Sequence, residues 1–163
     1  RLITSSSSAM LGGVYKLCGV QKDGKIVPKI NLSENVAKIT TPGNKRVYRL
    51  YDKDTNKAIA DLITLVDETL DDSQPYELFD PDYTWKRKTV TNYYSRELLE
   101  PVFDKGECVF KKKSTKEIRE YCKQQVDTLW DEVTRFENPH NYYVDRSQPL
   151  WDLKHEMLGK KGK

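Results

Sequence analysis

Cysteine is scarce and unpatterned: Cys18, Cys108 and Cys122 are the three in 163 residues, and no two stand in C-x-x-C spacing. An odd, scattered set argues against a disulfide framework and a Cys-based zinc site, and fits a reducing cytosol. Histidine is scarcer still. His140 follows an apparent helix end and His155 lies between Asp152 and Glu156, neither with further ligands in register, so neither is assigned to metal or catalysis. No apolar run reaches the ~18 residues needed to cross a bilayer, and the chain does not open on a basic-then-apolar signal. Together these absences predict a soluble, cytoplasmic protein with no membrane partner.

Recognisable reaction chemistry is lacking too. There is no G-x-S-x-G, no Walker glycine loop and no cysteine with a suggestive histidine. We assign no catalytic, substrate-binding or metal-binding residue within the chain. Charge of one sign is also missing: 28 basic residues nearly cancel 25 acidic ones, leaving +3, too little for a global field that would draw nucleic acid. The basic tracts are local. Lys111, Lys112 and Lys113 form one, and Lys160, Lys161 and Lys163 form another at a chain end, where a solvated tail is the plain explanation.

What is present suffices for one domain with extensions. Hydrophobic residues make up 37%, charged residues 33% and aromatics 10%, a polar mixture with the aromatic supply that disordered chains lack. The opening at Arg1 on Leu2-Ile3-Thr4 reads as the end of a buried strand whose beginning is missing, and Ser5, Ser6, Ser7 and Ser8 as a loop. Alternation over 14–20, Asp23-Gly24 and Lys25-Ile26-Val27 predict a hairpin. Residues 31–41 read as a short polar helix or turn, stopped by Pro42-Gly43-Asn44. A second hairpin follows, with strands from Val47 and from Ala58 around a polar tip at 52–57, and then a polar connector at 71–75. Residues 76–110 read as strand and loop, with Pro81 and Pro101 limiting central strands and 107–110 as a last short strand.

The helical signal comes last. Ser114 with Glu117 forms a capping box, and Ile118, Cys122, Val126, Leu129, Val133 and Phe136, widened by Tyr121 and Trp130, mark one buried face of a single helix. Asn138-Pro139 ends it, and Ser147 starts a second helix carrying Leu150, Trp151, Leu153, Met157 and Leu158. Strands first and helices last predict an α+β fold: antiparallel hairpins followed by two C-terminal amphipathic helices, organised as 1–13, a mainly β region at 14–110 and a helical region at 111–163.

Two apparent motifs dissolve on inspection. Asp52, Asp54 and Asn56 match the first ligand positions of a calcium loop, but Lys57 stands where the turn needs glycine and Ile63 where a bidentate carboxylate is required, so they read as a hairpin tip. Gly12-Gly13 could admit a phosphate to backbone amides, yet two glycines ahead of a strand are more often a tight bend.

Longer strings carry a family likeness. Leu11-Gly12-Gly13-Val14-Tyr15-Lys16-Leu17, then Lys38-Ile39-Thr40-Thr41-Pro42-Gly43-Asn44-Lys45-Arg46-Val47-Tyr48-Arg49-Leu50-Tyr51, then Phe136-Glu137-Asn138-Pro139-His140-Asn141-Tyr142-Tyr143-Val144-Asp145, and Leu150-Trp151-Asp152-Leu153-Lys154-His155-Glu156 resemble the C-terminal portion of bacterial nicotinate phosphoribosyltransferases. The resemblance implies a domain appended to a type II phosphoribosyltransferase α/β barrel that lies upstream, and a homodimer. It implies an enzyme joining nicotinate to phosphoribosyl pyrophosphate, with ATP phosphorylating a histidine and magnesium holding pyrophosphate, for NAD salvage. Those residues are expected upstream, as is the glycine-threonine turn that precedes the Arg1 segment in relatives. This segment alone is expected to be inactive and to bind none of these molecules. The serine run, Arg146 and Pro149 depart from the family pattern, and the resemblance gives Lys16 and Arg46 no role. The rival readings are a free-standing interaction or nucleic-acid-binding module using Lys111, Lys112 and Lys113 with Tyr93, Tyr94 and Phe110, and a complete small enzyme.

Overall fold

A computed structural model describes residues 13–161, and the chain divides into two compact units, Arg1–Gly43 and Asn44–Lys163. The readings made at 2–4, at Ser5 to Ser8, at Gly12, for the side chains of Lys160 and Lys161, and at Lys163 lie outside the described residues. No helix among the described residues is long and apolar enough to cross a membrane.

In the first unit, β1 (Gly19–Lys22) and β2 (Lys25–Pro28) pair antiparallel around Asp23 (φ 51°) and Gly24 (φ 75°). Two consecutive positive-φ residues make the turn whose twist matches its strands, and this is why Asp-Gly marked the hairpin. The strand expected from residue 14 begins only at Gly19. A 3-10 turn at Val36–Lys38, capped by the Asn35 side chain, replaces the short helix or turn expected there.

The second unit is built on a four-stranded sheet whose strands, in spatial order, are β10 (Val144–Arg146), β4 (Ala58–Leu65), β3 (Lys45–Asp52) and β7 (Tyr93–Glu97). Strand β3 (Lys45–Asp52) pairs antiparallel with β4 (Ala58–Leu65) and with β7 (Tyr93–Glu97). A second ribbon, β5 (Tyr76–Phe79) with β6 (Arg87–Val90), lends Leu78 and Val90 to a core shared with Leu50, Ile59, Ala60, Leu62 and Tyr93. Leu50, Leu62 and Tyr93 are wholly excluded from solvent, each stabilising the fold by about 2 kcal/mol through lost apolar surface. A small hairpin, β8 (Phe103–Asp104) and β9 (Glu107–Cys108), turns through Lys105 (φ 47°) and Gly106 (φ 88°), so the strand expected over 107–110 ends at Cys108.

The helices follow, as the α+β reading required, but not as two. Helix α1 (Thr115–Asp127) opens with the Ser114–Glu117 capping box, complete in both directions. It stops at Thr128, and a one-turn helix α2 (Asp131–Thr134) begins after Trp130. The predicted single helix is therefore broken, and its stripe is covered only in part: Leu129, Trp130 and Val133 are half-buried, but no residue of α1 is buried and Phe136 is 99% exposed. The break has a non-local cause. Lys57 Nζ donates to the carbonyls of Asp127 (2.9 Å) and Leu129 (2.8 Å), and the Ala58 N–H donates to Thr128 (2.8 Å), drawing the helix end onto the β3–β4 hairpin.

Strand β10 (Val144–Arg146), absent from the sequence reading, adds to β4 in parallel and delivers the chain into α3 (Gln148–Lys161). Ser147 is fully buried; its hydroxyl donates to Glu68 Oε1 (2.6 Å) and accepts from the Leu150 amide (3.4 Å), while Glu68 also accepts the Leu65 amide. Ser147→Ala is expected to cost about 2 kcal/mol, because it removes a helix cap and leaves a carboxylate oxygen short of a donor. Urea unfolding should show this as a lower midpoint at unchanged slope.

Candidate functional site

Strand β4, the β5–β6 ribbon, the Trp130 turn and the approach to β10 enclose a cleft. Its inner part, about 420 Å³, has an apolar floor of Ile59, Ala60, Leu78 and Phe79. An outer part of about 820 Å³ shares Asp80, Lys86, Trp130, Tyr143 and Asp145 with it and opens past Pro139 and His140. That size and lining suit a small-molecule or side-chain guest.

Each wall is fixed locally. Trp130 is held by the Lys57 clasp on one side and by α2 on the other, where its carbonyl accepts from the Val133 and Thr134 amides. The following loop closes on itself: Arg135 donates twice to the Asn138 carbonyl (2.9 and 2.6 Å), Asn138 takes φ 46°, and the His140 N–H donates to Glu132. Asp80 Oδ1 accepts from the amides of Asp82 and Tyr83, both at 2.9 Å, which folds the loop leading to Lys86. Tyr142 is pinned by donating to Asp61 Oδ1 (3.0 Å), and Asp61 is in turn gripped by the Arg49 guanidinium at 2.7 and 2.9 Å. That contact keeps Arg49 firmly protonated, while burial and the nearby Asp61 push the Tyr142 phenol up.

The cations on the walls have internal company. Arg87 pairs with Glu77, donates to the Thr84 carbonyl and lies 5.1 Å from the Phe79 ring. Lys86 Nζ is 4.3 Å from the Tyr83 ring, and Lys88 Nζ is 5.9 Å from Trp130. Asp145 differs from them: burial, with a smaller push from Asp80, raises its carboxyl to about 6.

Few residues singled out in the sequence meet here. His140 reaches the outer cleft, whereas His155 lies stacked 3.6 Å from Trp151. Asp52 Oδ1 accepts from Asp54 and Thr55 and Asn56 takes φ 56°, the hairpin tip that was expected. Lys16 donates to the Lys38 carbonyl, and Arg46 lies 3.7 Å from Glu97. Gly13 has open space around its α-carbon. Of the rings named with the lysine cluster, Tyr93 is fully buried and Tyr94 stacks on Tyr51 at 5.0 Å, while Phe110 is exposed with Lys113 Nζ 5.9 Å from its ring. Asp145 was missed because burial of a lone aspartate leaves no local trace.

Residues 44–154 match the family model described as nicotinate phosphoribosyltransferase C-terminal domain. The chain is similar to nicotinate phosphoribosyltransferase of Bacillus subtilis, 36% identical over 158 residues, covering 97% of this chain and 32% of that protein. It is similar to the Dictyostelium discoideum protein of the same name, 32% identical over 96% of this chain and 27% of the relative. The chain thus spans about a third or less of the length of these curated relatives. The crystal structure of human nicotinic acid phosphoribosyltransferase shares the fold, with a TM-score of 0.65 and 24% identity over 73% of this chain and 24% of that one.

Proposed function

The chain belongs to the nicotinate phosphoribosyltransferase C-terminal domain family, and from that premise we propose that the full polypeptide carrying it joins nicotinate to phosphoribosyl pyrophosphate, with ATP, to give nicotinate mononucleotide for NAD synthesis. In this reading the present domain supplies packing surface, and the reacting groups come from the rest of the polypeptide. One observation carries the packing role. Helix α1 displays Ile118, Tyr121 and Val126 to solvent, and Val109 and Phe110 in the segment before it are exposed too, apolar side chains of the kind an interface covers. The remaining length of relatives such as the Bacillus subtilis protein, of which this chain matches 32%, supplies a partner within the same polypeptide.

In this reading ATP and magnesium are held by the rest of the full polypeptide. The described residues contain no group of three His, Cys, Asp or Glu placed to hold a metal, and Asp80 in the cleft is already engaged by two amides. A cytoplasmic homodimer is the finer form of the same reading, supported by the scattered free thiols and the uncovered α1 face.

The full-length protein, given nicotinate, phosphoribosyl pyrophosphate, ATP and magnesium, should form nicotinate mononucleotide, and residues 1–163 alone should form none. No product from the full-length protein would sink the proposed activity. Product from the isolated segment would instead move the chemistry into this domain.

A further inference from the structure

The cleft holds one charge that the domain leaves unanswered. Asp145 is 5% exposed, lines both parts of the cleft, and makes no hydrogen bond or ion pair through its carboxylate among the described residues. Arg87 is paired with Glu77 and Asp80 Oδ1 accepts two amides, while Lys86 lies against the Tyr83 ring and Lys88 near Trp130. Asp145 is the buried carboxylate of the cleft, and no donor contacts it among the described residues. A buried carboxylate without a partner is costly, and a cation that enters relieves the cost. Beneath it, Ile59, Ala60, Leu78 and Phe79 offer apolar surface to an aliphatic stem, and Trp130 and Tyr143 offer ring faces that attract a cation.

We propose that this cleft binds an ammonium or guanidinium group on an aliphatic stem, with Asp145 as its counter-charge and Trp130 as its aromatic wall. A free alkyl amine and a lysine or arginine side chain from another part of the full polypeptide present the same chemistry.

The acid limb of binding follows from the carboxyl's position near 6. Only the ionised form takes a cation, so affinity is full at pH 8 and falls as pH drops through 6. The other titratable and charged groups facing Asp145 are Asp80 and Tyr76 from the β5 side, Asp82 and Lys86 from the loop before β6, Arg87 and Lys88 on β6, Tyr142 and Tyr143 before β10, and His140 at the mouth. A His140→Gln variant that keeps the pH dependence separates the imidazole's share.

The test is calorimetric titration of the full-length protein with agmatine, with valeramide as the uncharged analogue, alongside thermal midpoints of wild type and Asp145→Asn at pH 8 and pH 5. If the ligand is free, agmatine binds saturably at pH 8, about tenfold more weakly at pH 5 and at least tenfold more weakly to Asp145→Asn and Trp130→Ala. Valeramide does not bind, and Asp145→Asn raises the midpoint at pH 8. If a side chain of the same polypeptide fills the cleft, agmatine does not bind, and Asp145→Asn lowers the midpoint at pH 8 and at pH 5 alike, because the ion pair holds the carboxyl ionised at both. The proposal is overturned by agmatine binding equally to wild type and Asp145→Asn. It is also overturned by absent binding with a midpoint that Asp145→Asn does not lower at pH 8.

Discussion

Replacing Ile118 and Val126 together by aspartate is expected to destabilise the full-length polypeptide by about 3 kcal/mol and to leave residues 1–163 alone nearly unchanged. The asymmetry follows from exposure. In this domain Ile118 is 54% and Val126 46% exposed, so an aspartate at either site meets water. Helix α1 is nonetheless well made, with its capping box closed and its apolar residues on one face. Tyr121 lies at its middle, 5.2 Å from Lys113 Nζ and in hydrogen-bonding reach of Arg96, which sets the helix against the sheet edge by polar rim contacts and leaves the stripe outward. A helix of 13 residues gains little from propensity alone, so an ordered one with an uncovered apolar face points to cover supplied from elsewhere. Paired urea titrations of the full-length protein and the segment would measure the difference. Equal, small effects in both would mean that α1 faces solvent in the whole protein, and the packing role would fail with it.

How far the sequence disclosed this arrangement depends on the range of each determinant. Asp23-Gly24 and the Ser114–Glu117 pair act within four residues, and both hairpin and cap stand where they were read. Ser147 also starts its helix as expected, although its bond to Glu68 links positions far apart in the chain and left no local mark. The end of α1 was misread for the same reason. The apolar period continues from Val126 through Leu129 and Val133, and what interrupts it is Lys57, reaching across from the β3–β4 hairpin. Strand β10 was invisible because Val144-Asp145-Arg146 holds one good strand former, and its parallel partner β4 is remote in sequence. Three of the four strings that carried the family resemblance coincide with parts of the fold or the cleft, and the first, of which 13–17 are described, has no regular structure there. One runs into β3, another forms the outer rim of the cleft, and the last is the body of α3. What they could not convey is that Asp145 ends up enclosed without a partner.

Asp61→Ala is expected to cost about 3 kcal/mol, more than any other single polar substitution in the domain, because one side chain there satisfies three donors. Arg49 and Asp61 are directly opposed across β3 and β4, both largely shielded, and meet through two parallel N–H···O contacts. Tyr142 donates to the same carboxylate and lies under the Arg49 guanidinium at 5.5 Å, while the Asp61 N–H donates to the Tyr143 carbonyl. Alanine would strand the guanidinium and the phenol in a half-buried site, and stranding a charge costs more than the pair gives. The double replacement Arg49→Leu with Asp61→Leu should recover most of the loss, since it removes both charges and keeps the volume. The two singles and the double then form a cycle whose coupling should reach 1–3 kcal/mol. The damage should also be directional. Tyr142 and Tyr143 lead into β10, so amide exchange at Val144, Asp145 and Arg146 should speed up in Asp61→Ala before that of the β3–β7 pair does. A loss under about 0.5 kcal/mol, or uniform exchange across the sheet, would show that the carboxylate is no clamp and that packing alone holds the cleft wall.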